Sequence, residues 1–239
     1  MSPDWTSAVE RARGNAPFLA MALERRPELT ALLIAGEGEQ ALALARASGT
    51  GIEDIGVALR RERLGVALVL AVGDLAGAFP LARVTAELSA LADRALDAAI
   101  RDAIVRRTGE EAQGFIALAL GKHGAGELNY SSDIDLVLIC SQQTPQTQRL
   151  ARLMVDSLTD NSPPGFLYRV DLRLRPWGEA GPLVSEPAAY ADYLAQHAEL
   201  WEKQAMLKAR PIAGSAALGT SFLNRIRPLL FTASEAQVL

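Results

Sequence analysis

Two aspartates at the start of an apolar segment are the residues of this sequence best suited to hold a metal ion. Asp133 and Asp135 lie two residues apart in the run 133–140, so on a β-strand both carboxylates project from the same face. Burying two such charges is costly unless a cation lies between them, and oxygen ligands favour Mg²⁺ or Mn²⁺. The alternative is that the pair lies at the first turn of the strand and is simply solvated.

A third carboxylate, Asp171, lies in a segment that alternates between apolar and charged residues. The alternation predicts a second strand over 166–175, with Asp171, Arg169, Arg173 and Arg175 on its polar face. Carboxylates and arginines on neighbouring strands are typical of phosphoryl or nucleotidyl transfer, because carboxylates hold metal ions and arginines balance phosphate charge. The alternative is an exposed ladder of Arg–Asp ion pairs, which contributes little to stability.

A glycine-rich segment, 121–126, lies between the apolar run 115–120 and Asp133. Its glycines would let backbone N–H groups approach a phosphate closely, and Lys122 would reach the same anion. The spacing matches neither the common phosphate-loop motif nor the dinucleotide motif, so the position of the segment before Asp133 carries the prediction.

The other polar and aromatic residues of this region have ordinary structural interpretations. We expect His123 to be a solvent-exposed loop histidine and Trp201 to pack in a helical core. Lys203, Lys208 and Arg210 face either a nucleotide or water, and both interpretations stay open at this point.

A small sheet between helical regions is expected to position these residues. Apolar periodicity predicts long helices near 52–75 and 80–107, and Pro17, Pro27 and Pro80 are suited to open helices. The segments read as strands are 115–120, 133–140 and 166–175; those read as helical are 146–158 and everything from 187 onward, with a break at Gly214. The prediction is an α+β fold with an N-terminal helical region (1–112), a sheet-containing core (113–186) and a C-terminal helical segment (187–239).

Composition excludes several classes of function. A net charge of −4 over 239 residues argues against wholesale binding to nucleic acid. The longest apolar stretch, 64–73, is far shorter than the roughly 20 residues needed to span a bilayer, so no membrane association is expected. One cysteine, Cys140, rules out internal disulfides and fits a reducing cytoplasm.

Several segments, in the same order, resemble the family of glutamine synthetase adenylyltransferase/adenylyl-removing enzymes. They are 121–136, 169–176 with 178–183, and 201–206 with 208–211, preceded by shorter matches at 59–61, 74–75, 87–89 and 91–93. The resemblance covers roughly residues 50–215. His123 and Ala125 depart from the apolar residue and the glycine that the family usually has at these positions.

The resemblance implies the polymerase-beta-like nucleotidyltransferase fold, with a small mixed sheet. Asp133, Asp135 and Asp171 would be the catalytic carboxylates and would bind Mg²⁺, with Mn²⁺ as an alternative. The residues that would bind nucleotide and phosphate are Gly121, Lys122, Ser132, Arg173 and Arg175.

Family proteins carry two such cores in one chain. One core attaches AMP from ATP to a tyrosine of glutamine synthetase, and the other removes it by phosphorolysis, yielding ADP. Residues 169–182 resemble the removing core, so the resemblance implies magnesium-dependent removal of AMP by an N-terminal fragment or a truncated form. The implied partners are glutamine synthetase, a PII-type signalling protein as regulator, ATP or ADP, and phosphate. The alternatives are forward adenylylation and a non-catalytic module that binds nucleotide or a regulator.

Overall fold

Prolines and aspartates set the starts of the N-terminal helices. The structure is a computed structural model that describes residues 3–108, 114–160 and 167–231. Helices α2 (Pro17–Arg25) and α3 (Pro27–Ile34) begin at proline, as predicted, because a first-turn proline loses no helical hydrogen bond. The carboxylates of Asp4 and Asp54 accept backbone N–H bonds at the starts of α1 (Trp5–Asn15) and α5 (Ile55–Leu75).

The first compact unit is helical, and its helices pack around the apolar side of α5. Besides the helices already given, it contains α4 (Gly38–Ala47) and the part of α6 (Leu81–Thr108) that ends at Leu91. Small residues permit close packing: a Cβ on Gly73 would collide with the ring of Phe79, and one on Gly65 would press against Ala45. No helix in the described ranges is long and apolar enough to cross a membrane.

The second compact unit begins at Ala92 and contains the sheet. Its helices after α6 are α7 (Gly121–Gly124), α8 (Pro145–Thr159), α9 (Pro187–Gln196), α10 (Leu200–Met206) and α11 (Ala216–Leu230). Its strands are β1 (Phe115–Ala119), β2 (Ile134–Cys140), β3 (Val170–Asp171), β4 (Val184–Ser185) and β5 (Arg210–Gly214). The predicted α+β class, with a small mixed sheet between helices, is confirmed. The domain borders predicted after residues 112 and 186 stay predictions.

The sheet has β2 at its centre. Its order is β3–β2–β1–β5, and β4 also pairs with β2. β1 runs antiparallel to both β2 and β5, whereas β3 and β4 run parallel to β2. All five residues of β1 are buried, as are all those of β2 except Asp135. The polar side chain of Asp135 therefore stands out in an otherwise apolar layer.

The strand predicted over 166–175 is wrong for most of its length. Phe166 lies outside the described residues, and only Val170 and Asp171 form a strand. The chain turns after Asp171 because its carboxylate accepts the backbone N–H of Arg173 at 2.8 Å, and the N–H of Arg175 donates to the carbonyl of Leu172. An aspartate that bonds to the backbone two residues ahead favours a turn over an extended strand.

The prediction that everything from 187 onward is helical is wrong at β5. This strand lies at the edge of the sheet, where Pro211 costs no ladder hydrogen bond to a further neighbour. The break predicted at Gly214 is confirmed, since β5 ends there with a φ of +95° and α11 begins at Ala216.

Helices α9, α10 and α11 cover apolar residues of the sheet. Tyr190 and Phe222 meet edge to face, with 5.3 Å between ring centroids, in the same cluster as Ile116 and Val137. The prediction that Trp201 belongs to the core is wrong, since it is 58% exposed. α10 has seven residues and buries Glu202, Lys203 and Met206 on one side, which leaves Trp201 on the other.

Candidate active site

Asp135 and Asp171 lie side by side on neighbouring strands. They are paired in the parallel register of β2 and β3, so their side chains project from the same face of the sheet. Asp133 directly precedes β2, and about half of its side chain is exposed. The structure therefore brings Asp135 and Asp171 together in register and places Asp133, the third predicted carboxylate, directly before the first residue of β2.

The environments of these carboxylates differ. Burial raises the pKa of Asp135, and the nearby charges of Asp171 and Asp133 raise it further. The hydrogen bond from Arg173 holds the pKa of Asp171 below its usual value despite partial burial. The charge of Arg173 lowers the pKa of Asp135 only in part, so this partly buried carboxylate beside two others is a position where a cation would stabilise the fold.

Two arginines form ion pairs with Asp133 and Asp171. Arg169 donates from Nε to Asp133 and from Nη2 to the carbonyl of Ser131 at 2.8 Å. Arg173 donates to both carboxylate oxygens of Asp171, with Nε 3.0 Å from Oδ2. The arrangement resembles the predicted Arg–Asp ladder, but within the described ranges the carboxylate of Asp135 has no hydrogen-bond or ion-pair partner.

Arg175 has a different environment from the one predicted. Its guanidinium donates to the backbone carbonyls of Leu172 at 2.8 Å and of Glu179 and Gly181 at 3.3 Å. These bonds hold the loop that follows Asp171 in shape. The phosphate-binding role of Arg175 stays a prediction, because the side chain would have to leave these carbonyls to bind an anion.

The glycine segment folds as the one-turn helix α7 and lies against Asp135. Gly121 has a φ of +54°, and a Cβ at this position would collide with Oδ2 of Asp135. The N–H of Leu120 donates to the backbone carbonyl of Asp135 at 2.9 Å, which holds the start of the segment beside the carboxylate. Lys122 is exposed on the same turn. The predicted proximity of glycine turn and aspartate is therefore present.

Ser132 shapes the loop before β2. Its hydroxyl donates to Oδ1 of Asn129 at 2.8 Å and accepts the backbone N–H of Asn129 at 3.2 Å. Its role in binding nucleotide stays a prediction.

The prediction for His123 is wrong. The side chain is fully buried, and Nε2 lies 2.7 Å from Oδ1 of Asp93. The sequence showed glycines around His123 and predicted a loop in water, but α7 packs between a strand and a helix of the second unit. The sequence did not predict that Asp93 and Arg210 contact each other. A signal that could have pointed to both residues is that each lies in a segment that carries the family resemblance.

The carboxylates fit a hard divalent cation by chemistry, although they are not gathered around one point. Across residues 3–108, 114–160 and 167–231, no three side chains of metal-binding type lie close enough together to hold one ion. Asp133 and Asp171 are instead turned to their arginines. Asp135 and Asp171 lie in register and offer carboxylate oxygens, which are the donors that Mg²⁺ or Mn²⁺ prefers, and Asp135 forms no ion pair with any other described residue.

A small mixed sheet with neighbouring carboxylates beside a glycine turn places this chain in the nucleotidyltransferase class of α+β folds. The family model of glutamate-ammonia ligase adenylyltransferase matches residues 7–225. The chain belongs to this family, and the resemblance carried by its sequence motifs is confirmed.

Curated relatives named bifunctional glutamine synthetase adenylyltransferase/adenylyl-removing enzyme are similar to this chain. The protein from Rhodopseudomonas palustris is 32% identical over 96% of this chain and 26% of its own length. The protein from Xanthobacter autotrophicus is 38% identical over 79% and 21%, and that from Corynebacterium glutamicum 37% over 70% and 17%. The chain thus spans about a quarter or less of the length of these relatives.

Proposed function

We propose that this chain catalyses the magnesium-dependent removal of AMP from adenylylated glutamine synthetase, with phosphate as the nucleophile and ADP as the product. The observation that carries the proposal is the register of Asp135 and Asp171 beside Gly121. Family membership supports the same class of chemistry, and the names of the relatives include removal of the adenylyl group.

The proposed reaction exchanges one phosphorus–oxygen bond for another. An oxygen of inorganic phosphate attacks the phosphorus of the tyrosine-linked AMP, and the bond from phosphorus to the tyrosine oxygen breaks. The tyrosine oxygen takes up a proton, and the AMP unit leaves joined to phosphate as ADP. Negative charge collects during this exchange on the attacking phosphate, on the AMP phosphate and on the departing tyrosine oxygen. The site must therefore supply positive charge.

Asp133, Asp135 and Asp171 would hold the cation. Mg²⁺, or Mn²⁺ in its place, would offset phosphate charge and orient the phosphate oxygens. Asp171 would also position or activate the attacking phosphate oxygen. Asp135 is the most direct candidate ligand because its carboxylate is partly buried and forms no ion pair with the residues that the structure describes.

Arg169 and Arg173 would exchange their partners when substrate binds. Each is now bonded to a carboxylate that the proposal assigns to the cation. Once those carboxylates bind the cation, both guanidinium groups become available for phosphate oxygens, which they match in a bidentate fashion. Gly121 and Lys122 would contact phosphate from the opposite side of Asp135. The ion pairs of Arg169 and Arg173 would therefore be the arrangement of the site before substrate binds.

Forward adenylylation from ATP is the second candidate. It is favoured by the names of the relatives, which state both activities. The removing direction is preferred because residues 169–182 resemble that core. Glutamine synthetase as substrate, a PII-type protein as regulator and a cytoplasmic location belong to the same proposal.

An assay of both directions tests the proposal. With adenylylated glutamine synthetase, phosphate and Mg²⁺, we expect the chain to release ADP in amounts equal to the AMP removed. With unmodified glutamine synthetase and ATP, we expect little release of pyrophosphate. Pyrophosphate without ADP would establish the forward reaction, and the absence of both products from a folded chain that binds nucleotide would favour the non-catalytic module.

Mg²⁺ together with ADP is expected to raise the melting temperature more than either does alone. A ligand at one hundred times its Kd stabilises the native state by about 2.7 kcal/mol, which corresponds to about 5–10 °C for a chain of this size. Differential scanning fluorimetry measures the shift. The double variant Asp133→Asn/Asp135→Asn should lose the contribution of Mg²⁺, and an undiminished shift in that variant would place the cation elsewhere.

A further inference from the structure

Three polar side chains that are distant in sequence meet beside α7, inside the second unit. They are Asp93 of α6, His123 of α7 and Arg210 of β5. Arg210 bonds both carboxylate oxygens of Asp93, with Nη1 2.8 Å from Oδ2 and Nη2 3.2 Å from Oδ1. Oδ1 of Asp93 also lies 2.7 Å from Nε2 of His123. None of the three belongs to the carboxylate site described above.

The cluster holds α7 through its main chain as well as its side chain. Nη2 of Arg210 donates to the carbonyl of His123 at 3.2 Å, and Nε donates to the carbonyl of Gly124 at 3.4 Å. A Cβ on Gly124 would collide with the carbonyl of Lys208, so α7 lies directly against the chain that leads into β5. Because a single helical turn has almost no stability of its own, these contacts must set its position.

The ring of His123 has a single polar anchor among the described residues. The ring is fully buried, and Nδ1 has no hydrogen-bond partner there. The hydrogen bonds from His123 and Arg210 keep the pKa of Asp93 below its usual value although burial alone would raise it. An ionised carboxylate only accepts hydrogen bonds, so Nε2–H of His123 is the donor.

The position of α7 determines the distance between the glycine turn and the catalytic carboxylate. α7 begins at Gly121, which lies against Asp135, and His123 follows two residues later on the same turn. A shift at His123 therefore moves Gly121 and Lys122 relative to Asp135. Misplacement of a reacting group by about 1 Å is enough to slow a reaction by about a hundredfold.

We propose that Asp93, His123 and Arg210 form a clamp that fixes the phosphate-binding turn against Asp135, with Asp93 and Arg210 as positioning residues. The kinetic part of this proposal rests on the proposed function. The structural part does not, because the clamp acts on the conformation of residues 121–126 whether or not the chain turns over substrate.

Amide hydrogen exchange of peptides covering 121–126, in the full chain, tests the clamp directly. Asp93→Ala should accelerate exchange in this segment by about tenfold or more and leave β1 and β2 protected. The matched control is Asp97→Ala, one turn further along α6, which removes an exposed pair with Arg101 and should leave the segment unchanged. If Asp93→Ala does not fold, Asp93→Asn and Arg210→Lys replace it, since both keep a polar group in place.

Steady-state kinetics with adenylylated glutamine synthetase then tests the positioning role. In Asp93→Asn the KM for phosphate should rise by about tenfold, while the Mg²⁺ concentration for half-maximal rate changes much less. Arg210→Lys should show an intermediate effect, because a lysine cannot bond the carboxylate and two carbonyls together. If the wild-type chain forms no ADP, the proposed function is wrong. The clamp is then tested by amide hydrogen exchange alone. Unchanged exchange in Asp93→Asn and Arg210→Lys, or equal acceleration across the whole sheet, would overturn the clamp.

Discussion

Replacing Asp135 by asparagine is expected to lower the rate of ADP formation by about a thousandfold and to raise the melting temperature of the metal-free protein. The loss of rate follows from the proposed role of the carboxylate, because charge stabilisation by a bound cation is worth several kcal/mol and each 1.36 kcal/mol is a factor of ten in rate. The gain in stability follows from the raised pKa of Asp135, since its ionised form is disfavoured in the fold at neutral pH.

The two halves of this prediction are measured separately. Initial rates at saturating Mg²⁺ give the effect on turnover, and thermal unfolding with a chelator present gives the effect on stability. Asp192→Asn, at an exposed position of α9, is the control that removes one carboxylate far along the chain from the site. Wild-type turnover in Asp135→Asn would exclude this residue from the reaction, and a lower melting temperature would show that its charge is compensated.

Gly121→Ala is expected to reduce turnover by about a hundredfold with only a modest loss of stability. The added methyl group would collide with Oδ2 of Asp135, and the φ of +54° is one that alanine adopts with strain of about 1–2 kcal/mol. Relief of the collision moves either the carboxylate or the glycine turn, and displacement of about 1 Å costs about a hundredfold in rate.

Gly77→Ala is a matched control for the strain alone. Gly77 lies two residues beyond α5 with a φ of +73°, and nothing lies within 4 Å of where its Cβ would be. The two variants should therefore lose similar amounts of stability in thermal unfolding, while the rate of ADP formation falls sharply only in Gly121→Ala. Equal rates in the two variants would contradict the proposed role in the reaction of the close approach between Gly121 and the Asp135 carboxylate.

Local patterns predicted the centre of the sheet well. β1 and β2 are continuous apolar runs, and such runs are typical of strands buried on both faces, so their positions followed from the sequence. The proximity of Asp135 to Gly121 followed as well, because both residues flank these strands. The long helices α5 and α6 followed from their apolar periodicity.

The features that the sequence did not predict depend on contacts between distant residues. Alternation over 166–175 suggested a long strand, but a bond from the Asp171 carboxylate to the backbone ends β3 after two residues. β5 has no strand pattern of its own and is extended because it pairs with β1. The burial of His123 depends on Asp93, thirty residues earlier, which no local pattern connects to it.

The pairing of β5 with β1 has a consequence for how the protein is made. β1 is completed at Ala119, but the strand that covers its second edge begins only at Arg210. During synthesis a fully apolar strand therefore waits with one edge unpaired, which is the kind of surface that recruits other chains. The same residue that starts β5 supplies the guanidinium for Asp93, so neither the pairing of β5 with β1 nor the fixation of the glycine turn is complete before Arg210 has been synthesised. Shortened versions of this chain made for crystallisation or binding studies should accordingly retain the segment through Gly214.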